Sequence, residues 1–201
     1  MKKSIVTIAI ALAAGFGISQ SSFAATRSTE EATTLAEVTK INKIEIHGNV
    51  ELFVSDASTD QVKVYNQYYA NNALVQDQNG VLRITSYASQ KLVVWVSVTD
   101  LRKLAVYDNA EVKSFGKLSA IELDVKLYND AKAQLDLDSY SATISLNDRA
   151  KADLTGTVTT GIIRYDKSSY LNVTNLSADN VVKKVNFDMA SFNCKRELAS
   201  L

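Results

Sequence analysis

Seven oxygen-bearing side chains recur near one point of a repeating segment: Asp108, Asn109, Asn129, Asp130, Asn147, Asp148 and Asp166. Neighbouring strands lie about 5 Å apart. Stacking the repeats would therefore build a ladder of hard ligands of the kind calcium takes. Asp and Asn are also good turn formers, because they tolerate left-handed backbone and bond their own chain. Both readings stay open, although the Gly-rich repeat of calcium-binding β-rolls is missing. No other cofactor is suggested.

Aromatic residues are the second group. Tyr107 and Tyr128 occupy equivalent places one repeat apart, and their pattern points them outward. Tyr65, Tyr68 and Tyr69 cluster elsewhere, and Trp95 lies in the run Leu92 to Val98. Exposed rings stack on sugars and give proteins rigid contact area. Tyr also simply favours strands. The five tyrosines are the candidate ligand contacts, and Trp95 is expected to pack against the first repeat.

Catalytic constellations are poorly represented. His47 stands alone before Gly48-Asn49, with no partner to make it a base. Cys194 precedes Lys195 and Arg196, which would lower its pKa, but no His neighbours it in sequence. Asp136, Asp138 and Asp153 are available as paired carboxylates of a polysaccharide-cleaving enzyme. The turns around them are too short to build a cleft. No phosphate-binding glycine loop or nucleophile elbow occurs. The expectation is a non-enzyme with no catalytic residues.

Composition narrows the classes further. The chain has 201 residues, which suits one domain with appendages. Its 46% hydrophobic content is that of a globular protein. With 22 basic and 22 acidic residues it lacks the positive excess of a nucleic-acid binder. One Cys excludes an internal disulfide framework, and one His excludes a multi-histidine metal centre.

The elements that would position these residues are strands. Ile44, Ile46, Val50, Leu52 and Val54 alternate with polar residues, and Val62, Val64, Leu82, Ile84 and Leu92 to Val98 continue the pattern. Period two with β-branched residues between polar breaks is strand chemistry. Asn79-Gly80 reads as a tight hairpin turn. No amphipathic helix of ten residues is visible.

After Leu101 the strands repeat. Val106, Leu127, Leu146 and Tyr165 head equivalent segments spaced 21, 19 and 19 apart, and a looser copy runs from Val185 through Phe187 and Ala190 to Phe192. Each copy has inward apolar residues, a polar break, then more inward residues. Ala110, Ala131 and Ala150 imply a corner with little inner space. A unit of about 20 residues cannot bury its own stripe, so the units must stack. The spacing predicts an all-β fold, a right-handed parallel β-helix with coils of 19–21 residues. An antiparallel β-sandwich is the alternative. The absence of proline agrees with long internal strand ladders.

The start of the chain reads as an address. Lys2 and Lys3, the apolar run Ile5 to Ala14 and Ser22-Phe23-Ala24 make a secretory signal peptide over residues 1–24. Residues 25–40 read as a linker. Residues 41–201 form one domain: a less regular part at 41–101, the repeats at 102–192 and a C-terminal cap at 193–201. No transmembrane anchor is expected in the mature chain, which places it in the periplasm or at the cell surface.

The order of Ile44-Glu45-Ile46-His47-Gly48-Asn49-Val50-Glu51-Leu52, then Asn79-Gly80-Val81-Leu82-Arg83-Ile84, then serial strand–turn–strand units after Leu104, resembles the bacterial head GIN domain family. Its members are labelled auto-transporter adhesins and also described as a domain of unknown function. The resemblance spans about Ile41 to Phe192. It implies an exported β-helical domain and brings no catalytic residues. The turns here, Asp108-Asn109, Asn129-Asp130, Asp148-Arg149 and Lys167-Ser168, are more polar than the family's small Gly/Ser turns.

Two functions follow as expectations. One is a non-catalytic binding module of the cell envelope, adhesin-like, holding a glycan or a surface protein on a solenoid face. An incompletely capped last coil would also favour docking to another copy. The other is a periplasmic protein binding a lipid or small apolar ligand, which would need an internal cavity.

Overall fold

The computed structural model describes residues 40–65 and 73–186, with the backbone of Ala32–Thr34. The expected signal peptide, Tyr68, Tyr69, Cys194, the cap at 193–201 and the last-copy residues Phe187, Ala190 and Phe192 lie outside the described residues.

Every regular element among the described residues is a strand. In chain order they are β1 (Ala32–Thr34), β2 (Lys43–Gly48), β3 (Val50–Asp56), β4 (Gln61–Tyr65), β5 (Ala73–Gln78) and β6 (Val81–Ser86). There follow β7 (Leu92–Val98), β8 (Lys103–Val106), β9 (Glu111–Leu127), β10 (Lys132–Leu146), β11 (Lys151–Asp166) and β12 (Tyr170–Asn186). β1 lies within the segment expected to be a linker. Burial alternates along β2 and β7 and along β3 as far as Ser55, and Ile44, Ile46, Leu52, Val54, Leu92 and Val94 are at most 1% exposed. A two-residue period puts alternate side chains on opposite faces, so these strands bury one stripe and wet the other.

The strands form one mixed sheet of twelve. From β9 to β12 the pairing is parallel and nearly in register from end to end. Val106 pairs with Leu127, Leu127 with Leu146, and Leu146 with Tyr165, the stacking the repeat predicts. The unequal spacing has a local cause. Between Lys113 and Lys117 β9 has three residues, Ser114, Phe115 and Gly116, where β10 has only Leu135. β12 has one residue more than β11 in the same region. Both excesses bulge out of the ladder and leave the inward stack in phase.

The N-terminal half departs from the expected coil order. β2 pairs parallel with both β6 and β8, and β3 with both β7 and β9. The first strand pair therefore ends up between two later ones. Beyond β6 and β7 the chain runs in reverse: β5 pairs antiparallel with β6, and β4 with β7 and β1. Neither a wholly parallel helix nor an antiparallel sandwich describes this mixed, curled, open sheet; what holds is the all-β class. The hairpin is where it was expected. Asn79 and Gly80, at φ 54° and 77°, join Gln78 to Val81 in a two-residue loop.

The two arms of the curl share one core. Ile44, Ile46, Val50, Leu52, Val112, Leu127, Leu146 and Leu154 belong to a single buried cluster. A fully buried aliphatic side chain contributes about 1.5–3 kcal/mol relative to exposure. The corners are tight, as the alanines implied: Ala110, Ala131 and Ala150 are all 0% exposed.

Candidate functional site

The corner after each inward stripe is a hydrogen-bonded turn. Ala110 N–H donates to Tyr107 O at 3.2 Å, Ala131 N–H to Tyr128 O at 3.2 Å, and Ala150 N–H to Asn147 O at 3.3 Å. Asp108, Asn129 and Asp148 sit at φ 62°, 60° and 60°. Their short polar side chains tolerate this left-handed backbone better than most L residues. The side chains then tie one coil to the next. Gly48 N–H donates to Asp108 Oδ2 at 3.0 Å, Asn129 N–H to Asp148 Oδ2 at 3.1 Å, and Asp148 N–H to Asp166 Oδ2 at 2.8 Å. Asn147 Nδ2 donates to Leu127 O at 3.1 Å. Asp130 takes both arms of the Arg149 guanidinium, which holds its carboxyl below the usual carboxylate value. Asn109 is exposed in its turn. The ladder of candidate calcium ligands is thus brought to one edge, with several oxygens already accepting backbone N–H bonds. Among the described residues, no group of three His, Cys, Asp or Glu is placed to hold a metal ion.

One step before the corner, the predicted tyrosines meet. Tyr107 and Tyr128 stack with centroids 4.8 Å apart and planes 3° from parallel. His47 extends the column below Tyr107 at 4.3 Å and 3°. Burial, then the neighbouring Tyr128, raises the Tyr107 pKa. The column covers both faces of Tyr107, leaving its hydroxyl edge for contact. Among the described residues, one face of Tyr128 meets no other ring. Tyr65 lies apart on β4, opposite Val93.

A second column lies on the outer face of the other arm. Phe53 and Trp95 stack at 4.8 Å and 20°. Phe115, from the bulge in β9, reaches to 5.3 Å from Trp95 with its ring tilted 58°. Trp95 therefore stands on the outer face beside Phe53 and meets the first repeat there, through Phe115. Alternation alone marks Phe53 and Trp95 as outward, because each falls between two buried residues. Their pairing was hidden by the unforeseen β3–β7 register.

Charged pairs frame this column. Lys113 Nζ lies 2.7 Å from Glu51 and 3.2 Å from Glu111, and Lys91 Nζ is 3.2 Å from Glu111. Burial pushes Glu111 up, but the hydrogen bonds and charges of Lys113 and Lys91 outweigh it and hold its pKa below the ordinary 4.5. On the first arm Glu45 bonds Lys43 and Arg83, and those two hold it below 4.5 against the opposing effect of burial.

Two of the three carboxylates considered for catalysis accept side-chain hydrogen bonds. Asp138 Oδ1 accepts from Thr157 Oγ1 at 3.1 Å, and Asp153 Oδ1 from Asn172 Nδ2 at 3.1 Å. Asp138 borders an open polar groove of about 250 Å³ with Tyr140, Thr157, Thr159, Ser177 and Asp179.

The family model described as "Putative auto-transporter adhesin, head GIN domain" matches residues 40–186. The chain belongs to this family. Solved structures share the GIN domain's fold at low identity. A putative adhesin from Parabacteroides distasonis ATCC 8503 is 14% identical, with 78% of this chain and 79% of that one covered and a TM-score of 0.56. A putative adhesin from Parabacteroides merdae ATCC 43184 is 14% identical, with 77% of each covered and a TM-score of 0.58. A protein from Parabacteroides distasonis ATCC 8503 named a putative lipid binding protein is 9% identical, with 77% and 78% covered and a TM-score of 0.60. No curated protein matches the GIN domain sequence. Among its described residues no helix is long and apolar enough to cross a membrane.

Proposed function

We propose that this GIN domain is an exported, non-catalytic binding module of the cell envelope that holds a glycan or a surface protein on an outer face of its sheet. The observation that carries the reading is the pair of aromatic columns on the outside of a filled core. Rings held by their neighbours lose little freedom on binding, which favours contact. The dispersal of Asp138 and Asp153 into side-chain hydrogen bonds supports a role without catalysis. The signal-peptide pattern of residues 1–24 supports export, and the family's adhesin label supports the envelope.

One structural neighbour's lipid-binding name favours a second reading, a periplasmic lipid carrier. That would need room inside the curl. The inward residues from Ile41 to Ile163 in the core cluster are 0–3% exposed, and that filling favours the first reading. The corner Asp and Asn are best read as turn formers, and an end-to-end dimer remains a subsidiary proposal.

Protease treatment of intact cells tests the location, with a known periplasmic protein as control. Digestion of this protein while the control survives is expected. Protection until the outer membrane is opened would overturn the surface reading and turn attention to envelope partners and bound lipid.

A further inference from the structure

We propose that Phe115, Trp95 and Phe53 form a saccharide platform that takes the apolar face of a pyranose ring. The proposal rests on the binding-module reading and gives it a place and a ligand class.

The bulge supplies the first argument. β9 exceeds β10 by two residues at Ser114–Gly116, the largest departure from register in the parallel stack. Insertions in stacked repeats often collect on the binding face. The tip of this one stands clear, since nothing lies within 4 Å of where a Gly116 Cβ would stand. Its visible effect is to hold out Phe115, which is 64% exposed. Gly116 at φ 81° permits the bulge, and Ser114 Oγ anchors it by accepting Asp136 N–H at 2.8 Å. The exposed ring is nevertheless seated, leaning to 5.3 Å from Trp95 at 58°. Phe53 stands between Trp95 and Lys113 and offers its edge, while Phe115 adds an exposed ring at a different tilt.

The surroundings select the ligand. Two residues along the same strands, Ser55 and Ser97 stand opposite each other with hydroxyls 3.3 Å apart. One donates to the other, which leaves one hydroxyl hydrogen and several lone pairs for a third group. Lys113, 5.7 Å over the Phe53 ring, is fixed by Glu51, and Lys117 is exposed just past the bulge. A pyranose has a C–H face for the rings and a hydroxyl rim for these donors and acceptors. A second copy of the chain fits less well. Three rings of about 150–250 Å² each, two of them already half-buried, fall short of the roughly 800 Å² per partner of a standard interface.

Trp95 is the only tryptophan in the chain, so its fluorescence reports from the platform itself. The full chain is first screened on a printed array of mammalian and bacterial glycans. Each retained glycan is then titrated against Trp95 emission. A saturable change is expected, with affinity about tenfold weaker in Phe115→Ala and retained in Phe115→Tyr. Circular dichroism confirms that each variant is folded. Equal binding by Phe115→Ala, or no glycan retained, overturns the platform. Binding to intact cells is measured in parallel. If it persists when the platform fails, the binding-module reading stands and only its ligand class falls; if it is absent too, both fall.

Discussion

Asn129 is one residue doing three jobs. It takes φ 60°, donates from Nδ2 to Asp108 Oδ1 at 3.3 Å, and gives its N–H to Asp148 Oδ2 at 3.1 Å. Only the first is hard to replace, because the second bond is exposed and long and the third is made by backbone. Asn129→Gly is therefore expected to stay within about 0.5 kcal/mol of the parent. Asn129→Val, which forces a β-branched residue into left-handed backbone, is expected to cost about 1–3 kcal/mol. Thermal melts with EDTA and with millimolar calcium complete the test. An unchanged midpoint is expected if the corner is a turn and nothing more, whereas a calcium-dependent rise would return the ladder to the list of metal sites.

At the scale of the strand, glycines separate bulge from ladder. A Cβ on Gly156 would stand 2.1 Å from Leu137 O, with φ at 96°. A Cβ on Gly116 would meet nothing within 4 Å at φ 81°. Gly156→Ala is expected to lose about 3 kcal/mol or more, strain and clash together, and Gly116→Ala about 1 kcal/mol. Urea unfolding measures both, and equal losses would contradict the geometry. The same scale explains what the sequence made readable. The nearly regular spacing of Val106, Leu127, Leu146 and Tyr165 exposes the stack, because one parallel pairing repeats with nearly one offset. Asn79-Gly80 exposes the hairpin, because few dipeptides suit two positive φ values. The first half yields less. β2, β3, β6 and β7 alternate alike, so pattern alone cannot decide which pairs with which or in what direction. The Phe53–Trp95–Phe115 cluster depends on that pairing. The Tyr107–Tyr128 column does not, and its meeting was readable; its closure by His47 needed the β2–β8 contact.

The whole molecule has a charge problem in acid. Glu45 and Glu111 both have pKa values held below 4.5 in the fold, chiefly through Lys43 for the first and, against burial, through Lys113 and Lys91 for the second. A carboxyl lowered by folding contributes stability above its unfolded value. That contribution is lost as pH falls below about 4.5 and through the folded value. Both groups are partly wet, so each effect is modest. The expected result is a thermal midpoint that falls between pH 5 and pH 3, and falls less in a Glu45→Gln, Glu111→Gln double variant. Equal falls would mean that these pairs do not matter.

β2 and β3 come early in the chain yet lie between strands made later, with β6 and β7 on one side and β8 and β9 on the other. A chain delivered from its N-terminus presents this seed with both edges open. Growth then proceeds outward in two directions, first toward the reversed end and afterwards along the repeats. The first edge is filled once Val98 has arrived, but the other stays bare until β8 and the start of β9, as far as Ser114, have followed, and a bare edge recruits stray strands. The vulnerable moment in this protein's life thus falls during its delivery, before the repeats can shield the strands that came first.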